Sequence, residues 1–285
     1  MATLQTVQTQ FASVDVVNVA YRRLGKQNTF PLLYVNHLRG SIDLLDPLLF
    51  NIIAKIREVI LYDSFGIGHS EGAVPDSTTA MASIAAKLLA AIGVSKVDAI
   101  GFSMGGRAAQ ILAWDDPQLI HKLVLAGTQS AIGDGVVLPS RDVLESAAGS
   151  NDVPPTEQEM HGLFFYPSET SLAAGKDWWK RIHERQVDGE ERKEFFVGQG
   201  TGAQLTAILA FTVDVNNFNR LKDIKAPTLV TNGHTDVMSP TPNSFILEQK
   251  ISNAQLIIYP DSGHDHLFQY PELYAQHFEL FLNDL

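Results

Sequence analysis

The sequence contains no cysteine. That excludes a disulfide framework, a thiolate metal site and a cysteine nucleophile. Basic residues are scarce: 21 Lys and Arg stand against 32 Asp and Glu, a net charge of -11, and they form no cluster. A phosphate backbone needs such a cluster, so no nucleic-acid partner is expected. No apolar run approaches the ~20 residues of a membrane span. The first residues, MATLQTVQTQFASVDVV, lack a basic segment followed by an apolar one. The expectation is a cytoplasmic protein with no membrane partner, a monomer or homodimer acting on a small molecule. With 285 residues and roughly 150 per domain, the chain is one large domain or one domain carrying an insertion.

Short apolar runs recur along the chain. They are PLLYV (31–35), EVILYD (58–63), VDAIGF (97–102), KLVLAG (122–127), APTLVTNG (226–233) and AQLIIYP (254–260). Runs apolar on both faces suit strands covered by helices on each side. An alternating segment over 11–24 reads as antiparallel edge strands. Helix-length segments lie between the runs at 44–56, 77–92, 105–114, 243–250 and 271–285. Strands alternating with helices predict a mostly parallel α/β sheet. The stretch 130–215 breaks the rhythm. It has no buried strand pattern and is Gly- and Ser-rich, then helical, charged and aromatic, so it reads as a helical insertion.

Gly101-Phe102-Ser103-Met104-Gly105 stands between the run VDAIGF and the helical segment RAAQILAW. A serine on a sharp strand-to-helix turn needs small residues two before and two after it, because strand and helix pack tightly there. Its hydroxyl is a weak nucleophile and requires a base. His264, in PDSGH after the last strand run, sits where parallel sheets place functional loops. Asp236, in NGHTD after the preceding run, can orient that base. His234 and His266 are the competing bases, and Asp261 is the competing acid. The order Ser103, Asp236, His264 is one known triad order.

Together the turn GFSMGG, the segment 62–70, APTLVTNGHTDVMSP and SGHDHLFQYPE resemble the α/β-hydrolase family, in its haloperoxidase-like and proline-iminopeptidase-like branch. The resemblance covers nearly the whole chain. It implies an eight-stranded, mostly parallel sheet formed by residues 1–129 and 216–285, with a helical cap over 130–215. It implies Ser103 as nucleophile, Asp236 as acid and His264 as base. It implies an oxyanion hole made by the N–H groups of Met104 and Arg39, with Leu38 as the alternative register. Leu38, Trp178 and Met238 are expected to line the substrate pocket. His37 is expected to be structural, His69 to lie on the surface, and Arg39 either to reach the substrate or to pair with Asp43.

No cofactor and no metal is expected, since the His and Asp spacings follow no ligand pattern. The activity expected is serine hydrolysis of a carboxylic ester or lactone of a small apolar substrate through an acyl-enzyme, with activity falling on the acid side as the base takes up a proton. Carbon–carbon bond hydrolysis, perhydrolysis, amide or N-terminal peptide cleavage, a lyase or cyclase and a non-enzymatic receptor stay open on this fold.

Overall fold

The computed structural model describes residues 2–27, 30–149 and 152–284. The expected helix end at 285 lies outside them. Eight strands form one sheet: β1 Gln10–Val14, β2 Val17–Gly25, β3 Leu32–Val35, β4 Glu58–Tyr62, β5 Val97–Phe102, β6 Ile120–Ala126, β7 Thr228–Gly233 and β8 Ala254–Tyr259. Their order is β1-β2-β4-β3-β5-β6-β7-β8. β1 pairs antiparallel with β2 and β2 antiparallel with β4 at one edge, and the pairings from β4 through β3 to β8 are all parallel.

Alternation within the strands divides the core. Leu32 and Tyr34 pack into one apolar cluster with Phe50 and Phe278, while Leu33 and Val35 pack into the other with Leu88 and Leu112. Successive side chains of a strand point to opposite faces, so β3 feeds both. Helices α1 Pro47–Ala54, α2 Thr78–Ala91 and α3 Met104–Asp115 follow β3, β4 and β5. The first starts three residues later than the periodicity predicts. Asp46 caps it by accepting the Leu48 N–H at 2.8 Å, and Pro47 occupies the first turn. Residues 36–46 are thereby left as a loop above the sheet.

Between β6 and β7 the chain forms α4 Arg141–Ala148, α5 Glu157–Phe164, α6 Glu169–Arg181, α7 Gln199–Val213 and α8 Val215–Asn219. Among the described residues this stretch holds no strand, only an isolated bridge between Val187 and Glu190. α9 Pro242–Lys250, α10 His266–Gln269 and α11 Pro271–Asp284 complete the chain.

The inserted helices meet the loop 36–46 through buried polar groups. Asp43 pairs with Arg22 and Arg185 and accepts the Lys193 N–H at 2.7 Å. Asp46 pairs with Arg181 at 2.6 Å. No helix among the described residues is long and apolar enough to cross a membrane.

Candidate active site

The turn after β5 carries Ser103 at φ 56°, a conformation non-glycine residues rarely adopt. Strain of this kind costs about 1–3 kcal/mol and persists only where the surroundings over-determine it. They do so here. A Cβ on Gly101 would lie 2.6 Å from the Gly105 carbonyl oxygen, and one on Gly105 would lie 2.0 Å from that of Val35. The Ser103 carbonyl accepts the Thr128 hydroxyl at 2.8 Å and the Gly106 N–H at 3.0 Å. Its own hydroxyl makes no capping bond to α3. The Ser103 side chain therefore does not cap the helix, and its hydroxyl is available at the positive end of that helix.

Asp236 and His264 come together from the loops after β7 and β8. His264 Nδ1 lies 2.8 Å from Asp236 Oδ2, with both side chains fully buried. The other carboxylate oxygen accepts the N–H groups of Met238 at 2.8 Å and Ser239 at 2.9 Å. An ionised carboxylate only accepts, so the imidazole proton is on Nδ1 and the Nε2 lone pair is left as a base. That Nε2 is buried and has no hydrogen-bond partner among the described residues. The ring packs on Phe102, beside the serine, at 4.9 Å between centroids.

The competing residues are occupied elsewhere. His266 uses both nitrogens, on the His264 carbonyl and on Thr231 Oγ1, and burial pushes it down to about 3. His234 is exposed and bonds its neighbour Thr235, and the carboxylate on His264 Nδ1 is that of Asp236, not Asp261. His69, expected at the surface, is half-buried, with its Nε2 on Asp43 at 2.6 Å.

In the loop after β3 the Arg39 N–H, expected as an oxyanion donor, is already engaged. Arg39 stands at φ 65°, and its N–H donates to Gln204 Oε1 at 3.0 Å. It is committed and cannot serve as a second donor. The Leu38 N–H has no hydrogen-bond partner among the described residues. The Met104 N–H, at the first turn of α3, has no acceptor within its own helix. The Arg39 guanidinium does not reach Asp43. It donates to the carbonyls of Phe196 at 2.9 Å and Val153 at 3.1 Å. His37 is buried, and its Nδ1 bonds the Leu38 carbonyl at 2.8 Å. Burial lowers its pKa to about 4, against the raising effect of that bond, so the ring is neutral at physiological pH.

Above Ser103 lies a cavity of about 150 Å³. Leu38 and Met238 line it as expected, together with Met160, Leu163, Phe164 and Phe195. Polar groups are few: His37, Arg39, Ser146, Thr156 and Glu159. Trp178, expected in the pocket, is instead core of the insertion. It is 1% exposed and packs on Phe164 and Phe165 at 5.8 and 5.6 Å between centroids. Its place in an aromatic-rich helix was readable, but not the face it presents. Among the described residues no group of three His, Asp or Glu side chains could hold a metal ion.

Residues 35–271 match the model of the alpha/beta hydrolase fold. The chain belongs to the α/β-hydrolase family. The structure of an α/β-hydrolase fold protein from Chitinophaga pinensis superposes with a TM-score of 0.89 at 32% identity, over all of both chains. The poly(3-hydroxyalkanoate) depolymerase of Ectopseudomonas oleovorans is 30% identical over 89% of this chain and 86% of its own. RutD of Caulobacter sp. (strain K31), named for carbamate hydrolysis, is 26% identical over 83% of this α/β-hydrolase and 84% of its own length. Family and relatives together make the chain a hydrolase.

Proposed function

We propose that this hydrolase is a serine esterase of small carboxylic esters or lactones, working through an acyl-enzyme with no cofactor. One observation carries the reading: a strained, uncapped Ser103 lines an apolar cavity, and the ring of its neighbour Phe102 packs on a buried His264 whose only side-chain partner among the described residues is Asp236. His264 Nε2 takes the Ser103 proton as the hydroxyl oxygen attacks the carbonyl carbon. Asp236 holds the tautomer and balances the imidazolium. The N–H groups of Met104 and Leu38 receive the developing oxyanion. His264 then returns the proton to the leaving alcohol, and water activated by the same nitrogen releases the acid.

The cavity bounds the acyl group. An apolar cavity of ~150 Å³ in another protein holds benzene, so a short acyl chain or a small ring fits above Ser103. The similarity to a polyester depolymerase favours an ester over the carbamate suggested by RutD, which the same triad could also cleave. The inserted helices supply most of the cavity wall and so act as a cap. The test is a panel of p-nitrophenyl esters of increasing chain length, simple lactones and an aryl carbamate, with labelling of Ser103 by a fluorophosphonate. Ester turnover with Ser103 labelling supports the reading. Labelling with turnover of the carbamate alone replaces the ester, and neither labelling nor turnover overturns the reading.

A further inference from the structure

Every backbone polar group in a buried loop must go somewhere, and the short loop after β3 can be accounted for group by group. The His37 N–H donates to Asn36 Oδ1 at 2.8 Å. The His37 carbonyl accepts the Gly40 N–H at 3.3 Å. The Leu38 carbonyl accepts His37 Nδ1, the Arg39 N–H donates to Gln204 Oε1, and the Arg39 carbonyl accepts the Phe196 N–H at 3.0 Å. Of the backbone groups of residues 37–39, only the Leu38 N–H has no partner among the described residues. The Leu38–Arg39 peptide is thus gripped at both ends, its oxygen by His37 and its N–H by Gln204. Since a backbone N–H can only donate, the amide of Gln204 must face it with its oxygen.

Two of these contacts come from far away in the chain. Gln204 lies on α7 and is buried, and Phe196 precedes that helix. Arg39 also holds the insertion with its side chain, through Phe196 and Val153. The left-handed turn at Arg39 is therefore locked by the inserted helices rather than by the sheet below.

We propose that Gln204 and Arg39 are positioning residues through which the inserted helices aim the Leu38 N–H at the oxyanion, so that the oxyanion hole is complete only while the insertion is seated. This rests on the serine-esterase reading. Gln204 touches no reacting atom; it acts through the peptide it grips.

The test compares wild type with Gln204→Met, which removes the acceptor at similar length, and Gln204→Glu, which keeps one. The substrate is p-nitrophenyl butyrate, and an aryl trifluoromethyl ketone, whose adduct with Ser103 mimics the oxyanion, is the second probe. Loss of a whole donor costs ~10²–10³ in kcat, so a misaimed one should cost Gln204→Met about 10- to 100-fold, with KM within about twofold. Affinity for the ketone should fall by the same factor. Gln204→Glu should keep kcat within about threefold of wild type. A merely structural glutamine would lower the melting temperature and leave kcat and ketone affinity alone, and that result overturns the inference. If Gln204→Met does not fold, Gln204→Asn, which withdraws the acceptor by one methylene, decides in its place. Wild type inert to ester and ketone would overturn the esterase reading and this inference with it; active wild type with unaffected variants overturns the inference alone.

Discussion

In β3, β4 and β5 every residue is buried and most are apolar, so the centre of the sheet is held by packing on both faces. The inserted helices share some of that packing, through Phe164, Trp178 and Phe195. Yet their attachment to the loop 36–46 is polar at three points: Arg39 to Phe196, Val153 and Gln204; Asp43 to Arg185; and Asp46 to Arg181. Apolar packing tolerates small slides, because it is non-directional. Buried ion pairs and hydrogen bonds do not, since a displaced partner leaves a charge or donor uncompensated. The sheet thus supplies stability and the serine turn, while the polar seat fixes where the cavity wall stands relative to Ser103.

The sharpest way to break that division is to remove the nucleophile. Ser103→Ala should lower kcat by ~10⁴–10⁶ while the melting temperature stays near that of wild type, because no side-chain capping bond is lost. Near-normal turnover would sink the esterase reading.

A second pair of variants separates the regions by stability. Asp43→Leu leaves the buried Arg22 and Arg185 with Glu190 as their one remaining shared carboxylate among the described residues, which should cost ~3–5 kcal/mol. Ile60→Ala, in the centre of β4, should cost ~2–5 kcal/mol through its cavity. Urea midpoints read both. The losses are alike, but only Asp43→Leu should also change KM and kcat, because only it unseats the cavity wall. Burial alone would raise the Asp43 pKa, but bonds from His69 and Arg22 hold it well below the ordinary range. A depressed carboxylate stabilises above its unfolded value and loses that contribution as pH falls through the folded one, so the seat should survive moderate acid.

The serine turn was legible because its constraint is local: Gly101 and Gly105 flank Ser103 within one strand–turn–helix unit. The pairing of His264 with Asp236 was legible through chain order and two loops at the ends of parallel strands. The engagement of the Arg39 N–H was not. Arg39 stands in plain view, but its N–H is taken by Gln204, 165 residues later. No periodicity reports a contact at that separation. Trp178 was misplaced for a related reason: composition marks an aromatic helix, while the face it buries depends on how that helix docks. The sequence likewise gives no sign that His69 is held in from the surface, because its partner Asp43 lies on a different loop.

Cavity shape offers a subtler contrast. Leu163, on α5, lines the cavity, whereas Leu112, on α3, is core. Leu163→Ala should move preference toward longer acyl chains by about 10- to 200-fold in the ratio of kcat/KM values, the discrimination worth of a methylene or so. Leu112→Ala should destabilise without moving that ratio. If both variants shifted it equally, the inserted helices would not be setting specificity.

The smallest effect tests the sheet side alone. His37 and His266 are driven by burial to about 4 and about 3. An unfolded histidine titrates near 6.5, so between these values the unfolded chain binds protons that the folded one refuses. Their contribution is whole above about pH 6.5 and is lost as pH falls, by ~1.4 kcal/mol per pH unit for each group. Asp63 works the other way. Burial raises it to about 6, against the bonds from His69 and Ile42, so its penalty is relieved as pH falls from 6 toward 4. The usable readout is therefore a difference in which Asp63 and the other carboxylates cancel. Urea midpoints of wild type and His266→Asn, compared at pH 6 and pH 5, should show the variant losing ~1.4 kcal/mol less over that unit. Its kcat at neutral pH should hold, because the His266 ring bonds Thr231 Oγ1 and the His264 backbone carbonyl and not the His264 imidazole. Equal acid slopes would mean that His266 is protonated inside the fold, and the case for His264 as the sole base would need to be made again.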